Sequence, residues 1–342
     1  VDSEGRKLYD SNRYSLISVA AVVRHELGFQ IGYGGQIISM DNQVKASKLN
    51  GLLEGLSDYC ERLVTAETPP SNQYPVLFNG SAIGTIFHEA LGGHLLSGKY
   101  IQNGDSTTFK GKIGQKIMPE FISIIDNPQL AGSHGYYVYD DEGIKATAIH
   151  LVENGILKNY LLDRSSAAKM GISSNGHSRM EWVGEPDPIT GVANAVCPEP
   201  RVSNLEIVSS KTIPEPELFE TMKRYCHDNH IEYGVYVEGG SGSVELETSE
   251  FRFSPERAWK VYPDGRKKEI TNFFIVGKPF EILSQIESTS DRYSSSHKMC
   301  GALSGDVPTM DLAPSAFIPR ITIQSQEPTL FTERLLEREW HR

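Results

Sequence analysis

Cysteine is scarce in this chain of 342 residues: there are four, Cys60, Cys197, Cys226 and Cys300, and no two form a C-x-x-C pair. That scarcity excludes a disulfide-stapled fold and a zinc-ribbon spacing, and it points to a reducing, cytoplasmic setting. No run approaches the roughly 18 uninterrupted apolar residues of a membrane span, and no basic-then-apolar leader opens the chain. A membrane is therefore not an expected partner. An excess of basic charge is lacking too, since 33 Lys and Arg face 44 Asp and Glu for a net charge of -11. Such a surface repels polyanions and excludes nucleic acid as a primary partner. Internal repeats and low-complexity segments are also missing.

What the chain does hold is 31 Gly and 18 Pro among 39% hydrophobic residues, a mixture that implies many turns, short elements and a β-rich globular fold. Its length is enough to bury a core without staples. The opening Val1-Asp2-Ser3-Glu4-Gly5 passes almost at once into a strand-like run, as a piece cut from a longer protein would.

Residues 15–23 and 28–33 read as two strands around the polar Arg24-His25-Glu26. Leu49, Leu52, Leu53, Leu56, Cys60 and Leu63 recur every three or four residues, predicting an amphipathic packing helix over 44–63. After the breaker run 66–72, a strand over 74–78 leads to Ser81, a candidate cap for a helix from Ala82 to about Gly92. Strands are expected at 121–125, 136–139, 145–152 and 157–162, the last two joined through Glu153-Asn154-Gly155. Helical spacing recurs over 164–170, 215–229, 279–286 and 332–340, and β signals dominate 231–276 and 316–323.

The chemistry concentrates in His88-Glu89, which sits in a small-and-apolar helix of the kind buried all round. A carboxylate and an imidazole there are costly unless paired or bound to metal. In zinc peptidases the imidazole ligates the ion and the adjacent Glu takes a proton from water that the ion has acidified. The next histidine, His94, lies six residues on rather than four. On an unbroken helix it would point roughly 240° away from His88. Gly92-Gly93 is where the backbone could end or bulge to bring the two together. Spacing alone leaves a metal pair and two core histidines both open.

Residues 84–98, Gly-Thr-Ile-Phe-His-Glu-Ala-Leu-Gly-Gly-His-Leu-Leu-Ser-Gly, resemble the H-E-x-x-x-H segment of the TldD/PmbA family, formerly called modulators of DNA gyrase. The likeness continues in order along the chain. Residues 138–143 and 153–164 are similar to the family's D-D-E-G and N-G-x-L-x-x-Y-L-x-D-R stretches. Asn175-Gly176 with Arg179, and Pro200-Arg201-Val202-Ser203-Asn204, resemble its N-G-x-x-R and P-R-x-[ST]-N elements. Gly239-Gly240 with Glu250-Phe251-Arg252-Phe253, and Met299-Cys300-Gly301 with Val307-Pro308, match its later segments. The family spacing between the histidines is five, so Gly93 stands as an inserted residue and His94 aligns with the second histidine.

The resemblance implies an α+β, β-rich fold in which curved antiparallel sheets surround a central metal-binding helix. It implies residues 1–70 as the end of an N-terminal part with a linking helix, 71–342 as the catalytic domain, and a family N-terminal domain lying outside this chain. His88, His94 and Cys300 would hold Zn2+, and Glu89 would be the catalytic base of a peptidase acting on peptides or unfolded segments. Three protein ligands leave a tetrahedral zinc one open position for water. A homodimer, or a heterodimer with a related subunit, would be the assembly. A subunit of the family that has lost zinc, or one that only binds a regulated protein, is the competing reading.

Asp140, Asp141, Arg179 and Arg201 are the candidate substrate-binding residues, the guanidiniums for their fork-shaped grip on carboxylates and carbonyls. A charged turn between two strands explains the two aspartates nearly as well, and surface ion pairing explains each arginine at least as well. His134 and His297 are substitute ligands, although a loop histidine is usually neither. Cys60, Cys197 and Cys226 read as structural. Glycine runs at 32–35 and 239–242 lack the Lys-Ser/Thr of a phosphate loop and read as turns, and Arg266-Lys267-Lys268 reads as a solvated patch.

Overall fold

The computed structural model describes residues 4–9, 14–24, 30–39, 45–63, 65–92, 94–181 and 196–326. The expected helix at 332–340 and the inserted Gly93 lie outside them. β1 (Ser15–Arg24) and β2 (Gln30–Ser39) pair antiparallel as expected, and α1 (Ala46–Leu63) follows. β3 (Asn72–Phe78) enters the main sheet and leads into α2 (Gly80–Phe87), a π-helical turn (His88–Gly92) and α3 (Gly98–Asn103). The cap of α2 is Asn79, whose side chain accepts from the Ala82 amide at 2.8 Å, and not Ser81. Asn79 still has extended backbone, so its carbonyl oxygen can reach the free amides of the first turn.

β4 (Ile122–Asp126), β5 (Ile149–Glu153) and β6 (Ile156–Leu157) form one flank of the sheet. The turn between β5 and β6 places Asn154 at φ 50° and Gly155 at φ 77°, the two positive angles that suit the strand twist. Two expected strands are not there: 136–139 is a loop with one bridge, Tyr139 to Lys145, and 157–162 keeps only the end of β6 at Leu157 and a bridge from Leu161 to Ser97. Tyr137 and Tyr160 send their hydroxyls to the carbonyls of Gly176 and Phe109, and scattered backbone bonds such as Tyr137 N–H to Pro128 and Leu161 N–H to Leu96 complete the anchoring.

α4 (Arg164–Met170) is followed by the short pair β7 (Ser178–Arg179) and β8 (Glu199–Pro200), then by β9 (Asn204–Ser209) and β10 (Thr212–Ile213). α5 (Glu215–Asp228) precedes β11 (Gly234–Val244), β12 (Phe251–Val261), β13 (Lys267–Ile270) and β14 (Phe273–Gly277). After α6 (Pro279–Leu283), the long hairpin of β15 (Ser288–Ala302) and β16 (Gly305–Ser325) ends the described chain.

Among the described residues the sheet has twelve strands and is mostly antiparallel, with parallel pairings of β3 with β11, β9 with β16 and β10 with β15. β14 bridges β12 and β16, so β12, β11, β3, β16 and β14 close a ring of pairings. Alternation along β3 sorts the two faces. Val76 and Phe78 join the core under α2 with Ile83, Ile86 and Phe87, while Leu77 joins Phe317, Leu218 and Met222 under α5. The α+β, β-rich architecture with a helix cradled by curved strands is thus present. No described helix is long and apolar enough to cross a membrane.

Candidate metal centre

His88 stands where α2 gives way to the π-helical turn, and it is 3% exposed. A π turn adds a residue per turn and so redirects the side chains that follow. Gly92 is needed here for closeness: a β-carbon on it would lie 2.6 Å from Val202 Cγ1 and 2.8 Å from Leu205 Cδ1. The turn is thereby pressed against the start of β9.

His88 Nδ1 donates to Asp311 Oδ1 at 3.0 Å, since an ionised carboxylate only accepts. Its Nε2 then faces Cys300 Sγ at 3.2 Å, from β15. The other oxygen of Asp311 accepts from Lys298 Nζ at 2.7 Å, and that ammonium also donates to Thr85 Oγ1. Lys298, Cys300 and Asp311 share one face of the hairpin because 298 pairs with 309, 300 with 307, and alternate residues repeat the face. Asp311 is fully buried, and a carboxylate there persists only because both oxygens are paired.

Burial opposes a charge on His88, but Asp311 and Cys300 outweigh it and hold the imidazole well above its ordinary range. Burial alone would raise the Cys300 thiol, yet His88 and Arg201 draw it down to about 7. The contact thus favours the protonated form of the imidazole and the ionised form of the thiol, each by virtue of the other. A borderline cation with affinity for nitrogen and sulfur suits that same place, and its binding would displace the proton.

His94 is half-buried beyond the turn, its ring edge-on to Tyr100 at 5.9 Å. Burial first, then the charges of Arg201 and His88, press its pKa down to about 4, so it is a neutral imidazole. Its buried Nδ1 has no hydrogen-bond partner. Among the described residues, however, no three His, Cys, Asp or Glu side chains are gathered closely enough to cage an ion. The structure brings His88 and Cys300 together and leaves His94 near them.

Glu89 is the next side chain on the π turn. It is half-buried, and burial raises its carboxyl pKa against the lowering influence of His88 and Lys298. Gly242 of β11 makes room for it: a β-carbon there would approach Glu89 Cγ to 2.6 Å.

The four candidate substrate-binding residues brace the loops around this centre. Asp140 accepts from the amides of Glu142, Ile144 and Ser178, and burial raises its pKa to about 6 against those hydrogen bonds. Asp141 accepts from the Met180 amide at 2.8 Å. Arg179 donates to the carbonyls of Val202 and Pro308 at 2.6 and 2.8 Å. Arg201, with no exposure, donates to Ser304 Oγ at 2.7 Å and to the carbonyls of Gly305 and Cys300, fixing the hairpin bend beside the thiol. Asp311 and Lys298 are the site residues that sequence reasoning missed. Their signal was an acid and a base on the inward positions of adjoining strands.

Residues 71–325 match the family model described as the PmbA/TldA metallopeptidase C-terminal domain. A metalloprotease of Methanothermobacter thermautotrophicus is 26% identical over 331 residues, covering 92% of this chain and 66% of that protein. A protein of Saccharolobus solfataricus named zinc metalloprotease TldD homolog is 26% identical over 315 residues, covering 87% and 62%. The crystal structure of TldE from Thermococcus kodakarensis shares the fold, with a TM-score of 0.66 at 20% identity over 91% of this chain and 63% of that one. The chain spans about half to two thirds of the length of the curated relatives it matches. With a family model covering most of its length, this chain belongs to the TldD/PmbA family of metallopeptidases.

Proposed function

We propose that the chain is the metal-binding part of a zinc peptidase, with His88, Cys300 and His94 as ligands and Glu89 as general base. The observation that carries this reading is the 3.2 Å approach of His88 Nε2 to Cys300 Sγ across 212 residues of sequence, with Asp311 fixing the far side of the ring. A carboxylate behind a ligating histidine sets its tautomer and strengthens it as a donor. Zinc, named for the Saccharolobus relative, matches a nitrogen and sulfur donor set and when bound would polarise a carbonyl and lower the pKa of water.

The chain's own residues supply the rest. Glu89, whose carboxyl pKa is raised by burial, takes a proton from water beside His88 and returns it to the leaving amine. Lys298 keeps Asp311 ionised and so keeps His88 oriented. Beyond Val237, no described strand pairs with the α2-facing edge of β11, and Gly242 on that stretch adjoins Glu89. An extended peptide suits such an edge, because its backbone can continue the ladder.

Metal analysis tests the reading. One zinc per chain is expected, with affinity reduced by more than the roughly 10- to 100-fold typical of outer-sphere changes in His88→Ala and Cys300→Ala. Glu89→Gln keeps the metal and loses peptide hydrolysis. A zinc-free family subunit is the second reading, favoured by the absence of a gathered three-donor set among the described residues. It prevails if purified protein binds no zinc and Cys300→Ala changes nothing. The dimeric assembly expected for the family is tested separately, by mass in solution.

A further inference from the structure

A second imidazole cluster lies on the opposite face of the β15–β16 hairpin. His134 is fully buried in the loop after β4, and its Nδ1 donates to the Lys298 carbonyl at 3.1 Å. That bond places the ring proton on Nδ1 and leaves a lone pair on Nε2, which is buried and makes no hydrogen bond of normal geometry, with the Thr309 backbone beside the ring. His297 is its neighbour, with ring centroids 6.3 Å apart, and its buried Nδ1 is unpartnered as well. Met299 projects from the same side of β15 as His297, two residues on. Tyr14 closes the group, its ring edge-on to His134 at 4.4 Å and its hydroxyl 3.9 Å from Met299 Sδ.

Buried polar atoms without partners are rare, and two neighbouring imidazoles with the same deficit call for a common explanation. The backbone bond behind His134 orients that ring as ligating histidines are oriented. Burial, with the neighbouring His297, presses the His134 pKa down to about 4, so the ring is neutral and its lone pair is available. None of these donors is a carboxylate, and the positive charge of Arg179 is felt at His134. Both facts disfavour a hard dication. Two imidazoles and a thioether are soft donors suited to a monovalent soft ion.

We infer that His134, His297 and Met299 form a second metal site, selective for copper(I) and separate from the His88–Cys300 centre. The test is anaerobic copper(I) titration of the whole chain and its variants against a colorimetric competitor, with melting curves to confirm folding. The Cys300→Ser chain retains one tight equivalent, and its X-ray absorption shows nitrogen and sulfur neighbours. His297→Ala weakens that equivalent by about 100-fold or more, beyond the usual effect of an outer-sphere change. Met299→Leu, which conserves volume and so folds, removes the sulfur neighbour. The inference is overturned if Cys300→Ser abolishes the copper equivalent, if His297→Ala leaves it intact, or if no sulfur is seen in Cys300→Ser. Zinc content of the parent reports on the first centre independently, so failure of one site is not mistaken for failure of the other.

Discussion

The two faces of the sheet solve opposite problems. Under α5, Leu77, Phe317, Val261, Leu218, Met222 and Cys226 meet as an apolar layer. Under α2, the layer of Ile83, Ile86 and Phe87 runs into His88, Asp311, Lys298 and Cys300, all buried or nearly so. Burial of apolar surface is favourable wherever it occurs, whereas buried charge is tolerable only in a closed set of partners. One face therefore stores stability, and the other spends part of it on fixed charges.

The sharpest way to break this contrast is Phe317→Ala. Losing a fully buried ring of the α5 layer is expected to cost about 3–5 kcal/mol by denaturant unfolding, with zinc per folded molecule unchanged. On the other face, Asp311→Asn removes the negative charge and one of the two oxygens that accept separately from His88 and Lys298. Zinc affinity is expected to fall roughly 10- to 100-fold, measured by competition with a chelator, while the apolar layer stays intact. If Asp311→Asn unfolds the chain and Phe317→Ala does not, the two faces have been assigned the wrong way round.

Gly242→Ala sharpens the picture within the polar face. A methyl group at 2.6 Å from Glu89 Cγ must displace that side chain, so hydrolysis of a test peptide should drop several-fold. Bound zinc should not change, because Gly242 touches no ligand. The smallest effect belongs to the surface ion pairs, where Glu67 joins Lys260 at 2.9 Å and also Lys268. Hydrogen bonds from the two lysines lower the Glu67 pKa to about 2, against 4.5 for the free group. A depressed carboxylate stabilises the fold above its unfolded pKa. The melting-temperature gap between parent and Glu67→Gln should thus be small and constant above pH 5 and close as pH falls from about 4.5 to about 2.

Periodicity made the apolar half of the molecule legible. The leucine spacing of α1, the Asn154-Gly155 turn and the helix at 215–228 all stand close to their predicted places. β15 could not be read this way. Its run of serines, His297 and Lys298 lacks the alternation of a half-buried strand, because its inward groups are the polar ones of the site. Cys300 was reached only through likeness to a family, and its partner Asp311 was passed over inside an otherwise apolar stretch. The contact between His88 and Cys300 depends on pairings among strands remote in sequence, and local spacing does not encode those.

The hairpin has a consequence for the order of events in synthesis. The thiol and the carboxylate that complete the centre belong to the last strands of the described chain, whereas the His-Glu pair emerges from the ribosome more than 200 residues earlier. A nascent chain presents His88 and Glu89 before their partners on the hairpin exist, and the loop that must close to bring His88 to Cys300 spans 212 residues. The contact between His88 and Cys300 is thereby withheld until translation of these strands is finished.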